Sequence, residues 1–325
     1  MATERVTGSS VTGSGTEQQV LVVGETLVDI VHTPDGKATE HVGGSPANVA
    51  MGIARLGHDT VLATTLGDDD HGIRCREQIT SHGVTIENLD AGQHPTSTAI
   101  ATIDDSGAAD YEFDLHWDLR PITDLDRVAH VHTGSIAATL TPGAAVITQT
   151  LTEAREHATI SYDPNVRPTI MGSVDEVRGR IEELIALSDV VKASDDDIEW
   201  LYAGVSLPDV MAAWGRLGPG LVVVTRGGDG VAYRVTSTGE MAQAPTRADE
   251  VADTVGAGDS FMAGLVSGLL DAGLLGDADA RQRLSTATLE DVAGSVSRAL
   301  ATSAITVGHA GAYAPTRGEL NAESA

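Results

Sequence analysis

The sequence predicts an α/β fold: a doubly wound, mostly parallel sheet flanked by helices, with a small separate β sheet that is either a flap over a ligand or a surface excursion. Three observations predict it. Aliphatic runs such as Val20-Leu21-Val22-Val23 and Leu221-Val222-Val223-Val224 are unbroken, as in strands buried on both faces. Stretches with apolar residues at helical spacing lie between such runs, and strands alternating with helices build parallel crossover units. Two polar segments interrupt that alternation, with turn signals at Pro34-Asp35-Gly36 and Asp104-Asp105-Ser106-Gly107. They predict hairpins over about 31–42 and 96–117 that can pair into a sheet of their own. Residues 18–318 then form one domain, after a disordered tail over 1–17 rich in Thr, Ser and Gly and before a short tail over 319–325.

Composition narrows the function. Hydrophobic content of 41% suffices for a core, and with aromatics at 3% that core must be aliphatic. The single cysteine, Cys75, excludes an internal disulfide and fits a reducing cytoplasm. No apolar run reaches the ~18 residues of a membrane span, and the N-terminus lacks a signal-peptide pattern. A net charge of −27 argues against nucleic acid, whose phosphates need a basic face. Lys37 and Lys192 are the only lysines. A phosphate-handling site on this chain must therefore gather positive potential locally, from amide dipoles, arginines and a divalent cation.

Taken in order, the strand at 20–23 ends in Gly24, and Glu25 and Asp29 follow where open α/β sheets bind ligands. Asp29 lies among Leu27, Val28, Ile30 and Val31, and a carboxylate in apolar company needs a partner. Gly43-Gly44-Ser45-Pro46-Ala47-Asn48 reads as a loop entering a helix, with Asn48 placed either to meet a ligand or to cap. A strand over 60–66 and a helix over 73–82 come next. His130 and His132 share one face of a strand, which suits packing better than a metal site, since no third ligand is near. Asp163-Pro164-Asn165-Val166-Arg167-Pro168 ends a strand in a loop whose Arg167 could clamp a phosphate or sugar hydroxyls. A helix over 174–187 and a strand over 190–194 lead to Asp195-Asp196-Asp197, which could hold a divalent ion through water or cap the next helix. The strand at 221–225 turns through Arg226-Gly227-Gly228-Asp229-Gly230 into a returning strand, unlike the strand–helix of a dinucleotide fold. A helix over 288–303 and a closing segment, Ala304-Ile305-Thr306-Val307, complete the domain.

The stretch Asp253-Thr254-Val255-Gly256-Ala257-Gly258-Asp259-Ser260 feeds an apolar helix beginning Phe261-Met262-Ala263. Free N–H groups and the helix dipole make such a junction an anion site, and glycines let the backbone approach a ligand. Asp259 would repel a bound phosphate. It makes sense there as a base taking a proton from a nucleophile that attacks phosphate, or else as a helix cap.

Known phosphate motifs are missing: neither lysine completes a Walker A loop, and no G-x-G-x-x-G follows a strand into a helix. The junctions at 43–48 and 253–259, in that order, with Asp163–Pro168 and Thr225–Gly230 in support, instead resemble the ribokinase/fructokinase (pfkB) family of carbohydrate kinases. The resemblance covers about residues 20–315. It implies a ribokinase-like sheet with the two hairpins as a lid, and transfer of phosphate from ATP, with Mg2+, to a primary hydroxyl of a small sugar. By this resemblance Asp259 is the general base, and Gly256, Ala257 and Gly258 form its anion hole. Asp29, Gly43, Gly44 and Asn48 hold sugar hydroxyls, and Arg167 stands beside the acceptor. Thr225, Gly227 and Gly230 form the nucleotide loop. Ser194 to Asp197 stands where many members carry Asn-x-x-Glu, which makes Ser194 a nucleotide contact and Asp197 a water-mediated magnesium ligand. Asp253 matches a monovalent-cation ligand, so K+ joins the expected cofactors. Fructose is the first acceptor to expect, with 2-keto-3-deoxygluconate and ribose as alternatives. A sugar-binding or regulatory relative without turnover is the reading from another class. The lid edge could pair with a second subunit to form a homodimer.

Overall fold

The computed structural model describes residues 19–104 and 109–323. The expected tail at 1–17 and the turn at 105–107 lie outside the described residues. The chain opens with β1 (Gln19–Val23), then β2 (Leu27–His32) and β3 (Ala38–Gly43), before α1 (Ser45–Arg55), β4 (Thr60–Thr64), α2 (Asp70–Ser81) and β5 (Thr85–Asn88). A second hairpin, β6 (Thr98–Ile103) and β7 (Ala109–Asp114), precedes β8 (Val128–Gly134), α3 (Gly143–Ala154), β9 (Thr159–Asp163), α4 (Pro168–Met171) and α5 (Val174–Leu187). Then come β10 (Val190–Ser194), α6 (Asp195–Leu201), α7 (Leu207–Leu217), β11 (Leu221–Thr225), β12 (Val231–Val235) and β13 (Met241–Ala244). Four helices close the chain: α8 (Ala257–Asp271), α9 (Ala278–Leu284), α10 (Leu289–Val307) and α11 (Arg317–Glu323).

The main sheet runs β13-β12-β11-β10-β9-β8-β1-β4-β5; β12 and β13 are antiparallel additions to a parallel array. Alternation along the strands makes two cores. Val20, Val22 and Val223 face a layer containing α1, α8 and α10; Leu21, Val23 and Val222 face one containing α3, α5 and α7. Order reverses at β1, whose neighbours are β4 and β8, so the carboxyl ends of the strands open a crevice there. The two hairpins pair as β3-β2-β6-β7 through a parallel β2–β6 contact and form a separate sheet. The first starts at Leu27, earlier than 31, because β2 leaves β1 after only three residues.

Two expectations at the C-terminus need correction. Residues 304–307 continue α10, which runs to Val307; Thr306 is buried and its hydroxyl bonds Ser260 Oγ at 2.7 Å, so packing against α8 carries the helix on. Residues 319–323, expected as tail, belong to α11. Leu320 packs with Leu56 and Ala301, and the Glu319 carboxylate accepts the Thr316 N–H at 2.7 Å.

Candidate active site

The tip of α8 is shaped by its glycines and by Asp253. Asp253 accepts the N–H groups of Val255 (3.0 Å) and Gly311 (2.8 Å), which ties the loop before α8 to the segment after α10 and holds its carboxyl below the usual range. Gly256 has φ +75°, and a Cβ there would lie 2.6 Å from Ala312 Cβ, so the position requires glycine. The helical ladder opens with Ser260 N–H on Gly256 O. The N–H groups of Gly256, Gly258 and Asp259 have no partner among the described residues, while that of Ala257 reaches back to Thr254 O at 3.2 Å. The free donors are therefore 256, 258 and 259, not the expected 256 to 258.

Asp259 is held from α1. Ser45 Oγ donates to Oδ1 at 2.6 Å and Asn48 Nδ2 to Oδ2 at 2.8 Å. Burial raises the Asp259 pKa, and the two donors, with the charges of Lys192 and Arg167, pull it back. Asn48 was expected to present its amide to a ligand; its nitrogen is committed to Asp259, and its Oδ1 remains a buried acceptor without a partner. A sugar hydroxyl would satisfy it. Gly44, at φ +104°, lets α1 start against the Glu25 carbonyl, which a Cβ would approach to 2.4 Å. Asp29 Oδ2 lies over Gly43, where a Cβ would meet it at 2.2 Å. Asp29 is accessible at the lid root, yet partial enclosure raises its pKa, against the nearby His41 and Arg167. The Arg167 guanidinium donates to Val166 O at 2.9 Å, and its charge acts on Glu25, Asp29 and Asp259. The expected sugar-side residues thus share one crevice.

Sequence reasoning missed two residues. Lys192, in the middle of β10, pairs with Asp163 of β9 at 2.8 Å, both almost fully buried, and its ammonium lies 3.1 Å from where a Gly258 Cβ would be. It is a fixed cation beside the free N–H groups of the α8 tip. The signal was available: a lysine inside Val190-Val191-Lys192-Ala193 needs a partner, and Asp163 ends a neighbouring strand. Ser45 had no such signal, because its partner is 214 positions away. His130 and His132 pack as read, with ring nitrogens bonded to Thr159 and Ser161 hydroxyls, and burial pushes both down to about 3. Glu25 is buried, accepts the Ala137 N–H at 3.1 Å, and is pushed up to about 7.

Beside the α8 tip, a cleft of about 450 Å³ is lined by Lys192, Ser194, Thr225, Gly227, Gly230 and Gly258 among others. Gly227 adopts φ +50° and a Cβ there meets nothing, which leaves the loop open to a ligand; Gly230 is glycine for packing, since a Cβ would lie 2.1 Å from Ala244 O. Asp197 also lines the cleft, but its oxygens accept the Val166 and Ser194 N–H groups, both at 2.8 Å, in a capping box with Ser194. That tethering fixes the Asp197 carboxylate at the start of α6, on the wall of the cleft.

Comparison with known proteins agrees with this geometry. The family model "pfkB family carbohydrate kinase" matches residues 17–317. Fructokinase of Klebsiella pneumoniae is 30% identical over 79% of this chain and 86% of that protein, and fructokinase of Escherichia coli 32% over 82% and 89%. An ATP-dependent 6-phosphofructokinase of Thermoanaerobacterium thermosaccharolyticum is 30% identical over 77% and 81%. Among solved structures, a Xylella fastidiosa fructokinase with bound ATP aligns at TM-score 0.79 and 22% identity, covering 94% of this chain and 98% of that one. Aminoimidazole riboside kinase from Salmonella enterica aligns at 0.73 and 25%, covering 94% and 99%. With a family match across nearly its whole length and an acid clamped beside free N–H groups at a glycine-built helix tip, this chain belongs to the pfkB family of carbohydrate kinases, phosphotransferases that act on an alcohol group.

Proposed function

We propose that the chain transfers the γ-phosphoryl group of ATP to a primary hydroxyl of fructose. The observation that carries the reading is the Ser45–Asp259–Asn48 clamp set against free N–H groups and the Lys192 ammonium. The alcohol oxygen forms the new bond to phosphorus, the bond to the ADP oxygen breaks, and the alcohol proton passes to Asp259. The amides of Gly256, Gly258 and Asp259, with Lys192, stabilise charge on the migrating phosphoryl. Asp29, Gly43 and the Asn48 carbonyl hold the other sugar hydroxyls, and Arg167 stands at the acceptor side. Ser194, Thr225 and Gly227 receive the nucleotide. Asp195 and Asp196 line that wall, and a hydrated magnesium ion carried on the phosphates would meet them there.

Fructose is favoured over other acceptors because relatives named fructokinase match at 30–32% across about four-fifths of the chain. ATP consumption with fructose, fructose 6-phosphate, 2-keto-3-deoxygluconate, ribose and adenosine tests the reading. Fructose should give the highest kcat/KM; turnover with none of them would leave the non-catalytic alternative standing. A homodimer through the lid is part of the proposal: β3 and β7 are edge strands, and on β7 the stacked Tyr111 is 59% exposed. Sedimentation of wild type and Tyr111→Lys tests it, with a monomeric wild type as the refuting result.

A further inference from the structure

A second concentration of positive charge meets the C-terminal half of α8, at Ser267 and Asp271, roughly 16–22 Å along the helix from Gly256 at ~1.5 Å per residue. A cleft of about 230 Å³ opens there between α10, α11 and the end of α1, with Arg247, Arg298, Arg317, Ser297 and Asn321 on its walls and no carboxylate among the described residues that line it. The chain holds 47 acids against 20 lysines and arginines, so three arginines facing one cleft without an acid run against its composition.

The cleft is also braced. Arg298 and Arg317 each donate to Asp271 Oδ2 at 2.7 Å; Arg298 also reaches Ser267 Oγ (3.0 Å), and Arg317 reaches Leu56 O (2.7 Å). One carboxylate behind the wall thus balances two guanidinium groups. Arg247 donates to Ser297 Oγ at 2.6 Å and makes no ion pair among the described residues. Two positive charges remain uncompensated around a space equal to roughly seven or eight waters at ~30 Å³ each. That is room for a phosphate group with a short carbon body, and planar guanidinium forks match phosphate oxygens.

We propose that this cleft is a second binding site, remote from the reacting atoms, for a small phosphate-bearing anion. The site stands independently of which sugar the enzyme accepts. The test is calorimetric titration of inorganic phosphate into the full chain, with the active cleft filled by a non-hydrolysable ATP analogue. Wild type should show one saturable site. Arg247→Gln should weaken it at least ~10-fold, the loss expected for a charge-assisted bond. Ser297→Asp, which places a carboxylate on the wall, should abolish it. Both positions are peripheral, so melting temperatures without anion should match wild type. No saturable heat in wild type, or unchanged binding in both variants, overturns the proposal. A parallel citrate titration separates phosphate from general polyanion binding: phosphate binding more tightly supports the site as proposed, and citrate binding as tightly or better refutes the phosphate class.

Discussion

Asp259→Asn separates chemistry from architecture more cleanly than any other single change. The side chains are nearly isosteric, and the surrounding donors can accommodate the exchange. Asn48 Nδ2 can keep donating to the remaining carbonyl oxygen, while the Ser45 hydroxyl, now a donor at 2.6 Å, can rotate to accept from the new amide. The crevice should therefore keep its shape. Burial raises the Asp259 pKa, so its charged form is destabilised in the folded protein; a neutral amide removes that penalty, and the melting temperature should hold or rise. The proposed proton acceptor is lost outright. Removing a positioned base lowers turnover ~10²–10⁴-fold, about 3–5 kcal/mol of barrier at 1.36 kcal/mol per decade. The assay is kcat from coupled ADP release with the accepted sugar, beside a thermal melt. Turnover within tenfold of wild type, with the fold intact, would remove Asp259 from the proton path.

Lys192→Met leaves the Asp163 carboxylate buried without its counter-charge, which should destabilise the fold by about 3–5 kcal/mol, and adding Asp163→Asn should recover part of the lost melting temperature. His130 and His132 are held near pKa 3 in the fold, so between pH 3 and 6.5 the unfolded chain binds protons that the folded one refuses; stability then rises with pH across that window, and His132→Asn should flatten the acid side of a melting-temperature profile. Glu25 and Asp163, raised to about 7 and about 6, act in the opposite sense, losing stability as pH rises from their unfolded values, so Glu25→Gln should steepen that profile between pH 4.5 and 7. Gly256→Ala should lower both stability and turnover, because the new methyl would meet Ala312; Gly227→Gln should lower stability less, through backbone strain at φ +50° without a clash, and should raise the KM for ATP, because that side chain extends into open space beside the cleft. Melts and steady-state kinetics on the two variants check the contrast.

The sequence alone determined the features whose physics is local. Unbroken aliphatic runs predict buried parallel strands, and β1, β10 and β11 lie where those runs stand. Glycine before an apolar helix predicts a helix tip with free N–H groups, and the Gly256 backbone needs the conformation that residue permits. Asp259 was legible because an acid beside an anion site has few reasons to be there. Tertiary structure decided whatever depends on a partner distant in the chain. It joined Ser45 and Asn48 to Asp259, placed Lys192 against Gly258, and tied the Asp197 and Asp253 carboxylates to backbone amides of other segments. It also carried α10 to Val307 and folded 317–323 into a helix, since the buried faces that stabilise those residues come from α1 and α8. A side chain's type limits which bonds it can form; which of them it does form depends on what the fold sets within about 3 Å of it.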